Sequence, residues 1–444
     1  MTHTYRRRLS AVAAGCAAAG LGLAGAVVAA GPANSLPAPE DQDCPEAFPT
    51  SALVKGQPVD GLTVSSGNEA DTFTGEVIGV LDDGIATGLD MILVRLTGAE
   101  IDRVGGIWAG MSGSPVYAAD GRLIGAVSYG LSGGPSAVAG VTPAADMQEL
   151  LDDPLPIDRA LAKRVLLPKA LQAQVAADPT TTQAEARSGF TQLALPVAVS
   201  TSLTGKRFNQ LTKKLRKDNA IFYKTKSAPV SAAAGAESEI FAGSNLAAGI
   251  SYGDFTAVGT GTTTMVCGDQ VVGFGHPMDF TGPASLTLHG ADALYVQEDS
   301  LGAPFKVANP GAPIGTINQD RMAGIKGILG TLPETTLVRT DVTYGNKNRV
   351  GDTYVSAPDY LSTVSLYSNF GAVNKVFDRT GKGTALIKYT IKGETAAGKP
   401  FTVNRTNRYA DNFDITFAAI WDAAMDIDTV LLNDFTDVTI DDVT

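Results

Sequence analysis

Residues 105–130, GGIWAGMSGSPVYAADGRLIGAVSYG, limit what this chain can fold into more than any other stretch. Small residues surround Ser112 in Gly110-Met111-Ser112-Gly113-Ser114-Pro115. Glycine reaches backbone angles that a Cβ forbids, so the segment can turn tightly. Such a turn pushes a serine hydroxyl outward and aims neighbouring N–H groups at one point. Acyl transfer needs that combination, a nucleophile beside donors for a developing oxyanion. Val116-Tyr117, a turn at Asp120-Gly121 and the apolar run 123–129 then predict a β-hairpin with the serine at its start. Pro115 and two following strands disfavour the strand–turn–helix nucleophile of an α/β-hydrolase.

A serine of this kind needs a base, and the chain has only three histidines. His3 falls in an N-terminal leader, which leaves His276 and His289. His276 has the better setting. A hairpin is expected over residues 257–274, turning at Gly268-Asp269, and it empties into Gly275-His276-Pro277. His289 reads as structural.

With these residues in view, residues 105–130 resemble the nucleophile hairpin of trypsin-like serine proteases. They resemble more closely the stage IV sporulation protein B (SpoIVB) peptidase family, whose serine sits in GMSGSP after a GGI segment. The Gly275-His276-Pro277 turn, Ile314-Gly315-Thr316-Ile317 and the later Gly324-Ile325-Lys326-Gly327 are similar to further segments of that family. The resemblance covers residues 52–150 and 240–330. It implies a serine endopeptidase acting on protein or peptide substrates through an acyl-enzyme, with autoproteolysis open. Ser112 would be the nucleophile, His276 the general base, and the N–H groups of Gly110 and Ser112 the oxyanion hole. No cofactor or metal is implied. Two departures stand out. The serine precedes the histidine, the reverse of the family order, so two halves must close face to face. The position expected to carry the triad carboxylate holds Thr97. Asp320 is favoured instead, because in trypsin-like folds the acid belongs to the histidine-bearing barrel. Asp102 is the alternative, with Asp90 and Asp279 also near; a Ser–His dyad or a backbone carbonyl in place of the acid stays open. The competing reading is a catalytically inactive secreted or cell-envelope binding or scaffold protein of the same fold.

The expected architecture is mainly β with helical insertions: a permuted trypsin-like double β-barrel plus a C-terminal α+β or β-sandwich-like domain. Arg6-Arg7-Arg8 followed by an Ala/Gly/Val-rich apolar run predicts a bacterial-type signal peptide over residues 1–33, and so a secreted or extracytoplasmic protein. Residues 34–51 read as a linker, 52–151 as the serine-bearing half, 152–239 as a helical and linker insertion, 240–332 as the histidine-bearing half, and 333–444 as a β-rich C-terminal domain. Cys16 belongs to the leader, and Cys44 and Cys267 can form one disulfide in an oxidising compartment; two free thiols remain open. The formal charge of −12 becomes more negative without the leader's arginines, which argues against nucleic acid as a partner. No stretch after the leader is long and apolar enough for an integral membrane segment. Oligomeric state is not readable. A basic run, Lys213 to Lys217 with Lys224 and Lys226, reads as a solvated helix face.

Overall fold

A computed structural model describes residues 44–152, 164–215, 219–230, 239–299 and 303–444. The expected signal peptide, and Arg216 and Lys217 of the basic run, lie outside the described residues. The described chain is mainly β. Its first seven strands are β1 (Pro58–Thr63), β2 (Asp71–Ala86), β3 (Leu89–Gly98), β4 (Pro115–Ala118), β5 (Leu123–Leu131), β6 (Val138–Pro143) and β7 (Phe190–Gln192). The pairings β1–β2–β3–β6–β5–β4 are antiparallel and return to β1, which closes a six-stranded barrel; β7 extends it from β5. Closure removes the unpaired edges that a flat sheet would expose. Phe73, Val94, Trp108, Met111, Val116, Ile124 and Val127 fill its core.

The second sheet starts with β8 (Leu195–Ser200) and β9 (Ala220–Lys224) and continues with β10 (Asn245–Gly253), β11 (Thr256–Cys267), β12 (Gln270–Gly273), β13 (Gly282–Gln297), β14 (Phe305–Arg321) and β15 (Gly324–Leu329). Here too a run of pairings comes back on itself, β10–β13–β14–β15–β12–β11 and again β10, every pair antiparallel. The β11–β12 turn is the expected Gly268-Asp269, with Cys267 opposite Gln270 and Gly268 at φ 64°. The two sheets meet through an apolar layer. Leu123, Ala126, Met147 and Leu150 from the first side pack with Met265, Val272 and Ala323 from the second.

The described residues between 152 and 239 serve both sheets. They add β7 to the first, and β8 and β9 to the second. The helical spacing around Phe208 and Leu211 matches a helix at Gly205–Leu215. Lys224 of the basic patch donates to Leu203 O at 2.8 Å.

The C-terminal region begins with β16 (Thr336–Tyr344) and β17 (Lys347–Val355), followed after a helix by β18 (Gly383–Thr395), β19 (Pro400–Asp411) and β20 (Val438–Val443). The α+β character expected there is present. The sandwich-like arrangement is not: these strands prolong the second sheet, because Ser251–Gly253 of β10 pair with Thr353–Val355 of β17. One core joins them, running from Leu246 and Ile325 to Val364, Phe370 and Ile427. Sequence periodicity does not reveal the helix Leu361–Phe377, since ten of its residues are buried around most of its girth and leave no amphipathic stripe.

The described chain starts tied down. Cys44 and Cys267 form a disulfide with Sγ–Sγ 2.08 Å, and Leu123 N donates to Glu46 O while Phe48 N donates to Leu123 O. Among the described residues no helix is long and apolar enough to cross a membrane.

Candidate functional site

The serine turn is held from two directions. Just before it, Ala109 N donates to Pro304 O at 2.7 Å and Lys306 N donates to Ala109 O at 2.8 Å. Within it, Met111 N donates to Trp108 O and Ser114 N to Met111 O, while Gly113 N reaches Val127 O in β5. Gly110 and Gly113 sit at φ 106° and 96°, where a side chain is strained. At Gly113 space is the second constraint: a Cβ there would run into Thr262 O.

The opposite sheet grips the carbonyls of this turn. Thr262 N donates to Ser112 O at 2.7 Å. Thr262 Oγ1 donates to Gly110 O and Thr264 Oγ1 to Gly113 O, both at 2.8 Å. The turn is thus stapled across a long sequence separation by alternate threonines of β11, whose side chains share one face of the strand. In the sequence, residues 259–264, Gly-Thr-Gly-Thr-Thr-Thr, read only as a strand. The alternating hydroxyls are the signal that marks the clamp. With its carbonyls engaged, the turn directs its amides elsewhere. Among the described residues, the N–H groups of Gly110 and Ser112 have no backbone acceptor.

The histidine arrives from β12. Phe274 and Gly275 both take left-handed φ values of 67°, and this double twist turns His276 toward the first barrel. Phe274 is fully buried, so packing holds a non-glycine residue in that region. A Cβ on Gly275 would strike the Ser128 hydroxyl. Thr142 Oγ1, on β6, donates to Gly275 O at 2.6 Å.

These constraints bring His276 Nε2 to 2.8 Å from Ser112 Oγ, across a separation of 164 residues. His276 Nδ1 lies 2.8 Å from Pro277 O. A carbonyl oxygen can only accept, so Nδ1 carries the proton and Nε2 is left with its lone pair facing the serine hydroxyl. Ser112 and His276 are only 1% and 2% exposed. Tyr129 meets the imidazole edge-on with centroids 6.5 Å apart. Burial pushes His276 down to about 4, only partly offset by the bond to Pro277. The ring is therefore neutral at neutral pH, the form a general base needs.

Asp320 is not the partner of this ring. Its carboxylate accepts from Met278 N at 2.8 Å and Asp279 N at 2.7 Å, and so pins the loop after His276. Burial raises its pKa, while those N–H donors act in the opposite sense. The Nδ1 acceptor is the Pro277 carbonyl, which no residue-type pattern can reveal. Asp102 is no substitute either: it accepts from Thr97 Oγ1 at 2.7 Å and from Gly98 N at 2.9 Å, on the first barrel. Asp90 accepts from Asp83 N, and Asp279 from the Tyr360 hydroxyl. His289, read as structural, is buried in β13 between Gly311 O and the Thr287 hydroxyl.

Lys306 is a neighbour that no pattern in the sequence points to. It is 0% exposed. Its stem packs where a Cβ on Gly110 would lie, and its Nζ donates to Asn245 Oδ1 at 2.6 Å, 5.4 Å from the Trp108 ring centre. Burial brings it down to about 7, and Asp71 acts in the opposite sense. Among the described residues, no three His, Cys, Asp or Glu side chains gather as a metal site.

Compared with protein-family models, curated proteins and solved structures, the chain matches none.

Proposed function

We propose that this protein is an extracytoplasmic serine peptidase that uses Ser112 as nucleophile and His276 as general base. The observation that carries the reading is the 2.8 Å contact between His276 Nε2 and Ser112 Oγ. In the reaction Nε2 takes the hydroxyl proton as Oγ attacks the scissile carbonyl, then returns it to the leaving amine. Water hydrolyses the acyl-enzyme by the same path. The N–H groups of Gly110 and Ser112 receive the oxyanion, a contribution of about 3 kcal/mol per donor in such sites. Pro277 O takes the orienting role that a carboxylate has in a triad and carries no charge to stabilise the imidazolium. This makes the catalytic unit a dyad.

In this reading the closed barrel and the ring β10–β13–β14–β15–β12–β11 are the two barrels of a trypsin-like fold joined in swapped order, as the resemblance to the SpoIVB family implies. Triads and dyads are defined by geometry and tolerate such reordering. Met111 stands where trypsin-like zymogens hold an activation aspartate, and it is buried in the barrel core. Maturation then needs no free α-amino group. The Cys44–Cys267 disulfide supports an oxidising compartment.

A second reading has its own support. The near-complete burial of Ser112 and the uncharged partner of His276 also suit an inactive binding or scaffold protein that retains the geometry. A fluorophosphonate probe separates the two. Labelling of the wild type that disappears in Ser112→Ala supports the peptidase. A folded wild type that never labels sinks it.

A further inference from the structure

Resting on the peptidase reading, a question remains about what the site would accept. A cavity of about 60 Å³ reaches His276 from the side of residues 192–197 and 219–222. Leu193, Leu195 and Val197 line it on one side, Ile250 and Ala257 on another, with the imidazole among them. All of these are buried. Its mouth is polar, formed by Gln192, Asn219, Asp279 and Tyr360, each of them at least partly exposed. Asn219 Nδ2 donates to Gln192 O and Leu193 O, and so links the end of β7 to the start of β9. Among the described residues no lysine or arginine lines the cavity, and the one charged lining residue is Asp279.

The mouth lies between two sheet ends. Among the described residues the outer side of β7 is taken, with Phe190 bridged to Val165 and Gln192 O accepting from Asn219, whereas β9 pairs only with β8. Ala220 and Phe222, on one face of β9, line the cavity. An extended peptide can add to such an end through main-chain hydrogen bonds while alternate side chains enter pockets.

We infer that this cavity is the subsite for an apolar side chain of an extended peptide substrate, bound next to the scissile bond. Chemistry selects the class. The floor offers an acidic or basic side chain no opposite charge, and Asp279 at the mouth repels carboxylates. Size narrows it further. At about 10–15 Å³ of such space per water-sized group, the cavity holds about four to six. That suits Val, Leu or Met and is too small for Trp.

The test uses full-length Ser112→Ala, so that binding is read without turnover. Three fluorescein-labelled decapeptides of Ala, Ser and Gly differ only at one central position, Leu, Glu or Trp, and anisotropy reports their affinities. The expected result is at least about ten-fold tighter binding of the Leu peptide than of the Glu peptide, with Trp between. Ala220→Leu at the mouth and Ala257→Val in the floor, each in the Ser112→Ala background, should erase that preference with the circular dichroism spectrum unchanged. Equal affinities, no binding of any peptide, or a Leu preference that survives both fillings overturns the inference. Its failure is separable from failure of the peptidase reading. Probe labelling with flat peptide affinities retires the subsite alone, whereas a Leu preference in a chain that never labels retires the hydrolysis and leaves the subsite.

Discussion

Two histidines in this molecule have almost the same immediate partners. His276 places Nδ1 2.8 Å from a backbone carbonyl and Nε2 2.8 Å from a serine hydroxyl. His289 places Nδ1 2.9 Å from Gly311 O and Nε2 2.7 Å from the Thr287 hydroxyl. Burial pushes both rings down to about 4. They differ in what surrounds the hydroxyl. Thr287 lies two residues from His289 on the same strand and also reaches Gly249 O at 3.1 Å. Ser112 comes from the other side, on a turn with two amides that lack backbone acceptors among the described residues, and a cavity touches its histidine. A carbonyl–imidazole–hydroxyl chain is thus an ordinary way to satisfy a buried histidine. Uncommitted donors and adjoining space are what mark one of the two as a candidate site.

The comparison breaks most visibly at the rings themselves. His276→Ala should slow fluorophosphonate labelling by about 10²–10⁴-fold, the usual weight of a general base. His289→Ala should leave the rate per folded molecule within about three-fold while lowering thermal stability, since it empties a buried polar site. Comparable losses of rate in both variants would erase the distinction.

Acid should act on both histidines in stability but on one in reactivity. In the unfolded chain each ring takes up a proton near its ordinary value of about 6.5. The folded rings refuse it until about 4. Between those values the unfolded state binds more protons, so stability falls as pH drops from about 6.5 to 4, by up to roughly 3 kcal/mol per histidine. Urea titrations from pH 7 to 4.5 should show this fall, and His289→Gln should flatten it. The labelling rate of the folded fraction should hold until pH approaches 4. A midpoint near 6.5 would mean that water reaches His276 freely.

The acid partner is the next place to press. A triad carboxylate at Asp320 would make Asp320→Asn about 10⁴-fold slower. Because Asp320 pins the loop and leaves Nδ1 to Pro277 O, the expected loss of labelling rate is about ten-fold or less, with some loss of stability. A loss near 10⁴ would return Asp320 to the ring. The smallest expected effect belongs to the clamp. Thr262→Val removes the hydroxyl bond to Gly110 O, worth about 1 kcal/mol, and should slow labelling about five-fold through the turn. Thr287→Val, its counterpart beside His289, should not change the rate.

What could be read in advance follows the range of the interactions involved. Residues 336–344 alternate in polarity and form the strand Thr336–Tyr344, and the helical spacing over 415–430 corresponds to Ile415–Ala418 and Trp421–Leu431. Alternation and turn chemistry act over a few residues, so they survive in a linear pattern. The pairing of Cys44 with Cys267 was within reach because only two cysteines remained after the leader. Asp320 is not the acid because a place in the histidine-bearing half says nothing of the direction a carboxylate's oxygens face.

The sequence by itself determined the two turns, GMSGSP and GHP, because glycine at positive φ and proline act through sterics inside a few bonds. It also determined that a base, if histidine, had almost no other candidate. Only the tertiary structure decided that Thr262 and Thr264 would hold the serine turn, that a carbonyl would stand behind the ring, and that residues from 192–197 and 219–222 would wall a cavity beside it. Each of these depends on strand pairing and sheet packing between distant segments, and the carbonyls that the threonines grip and that stand behind the ring are common to every residue and leave no mark in the order of side chains.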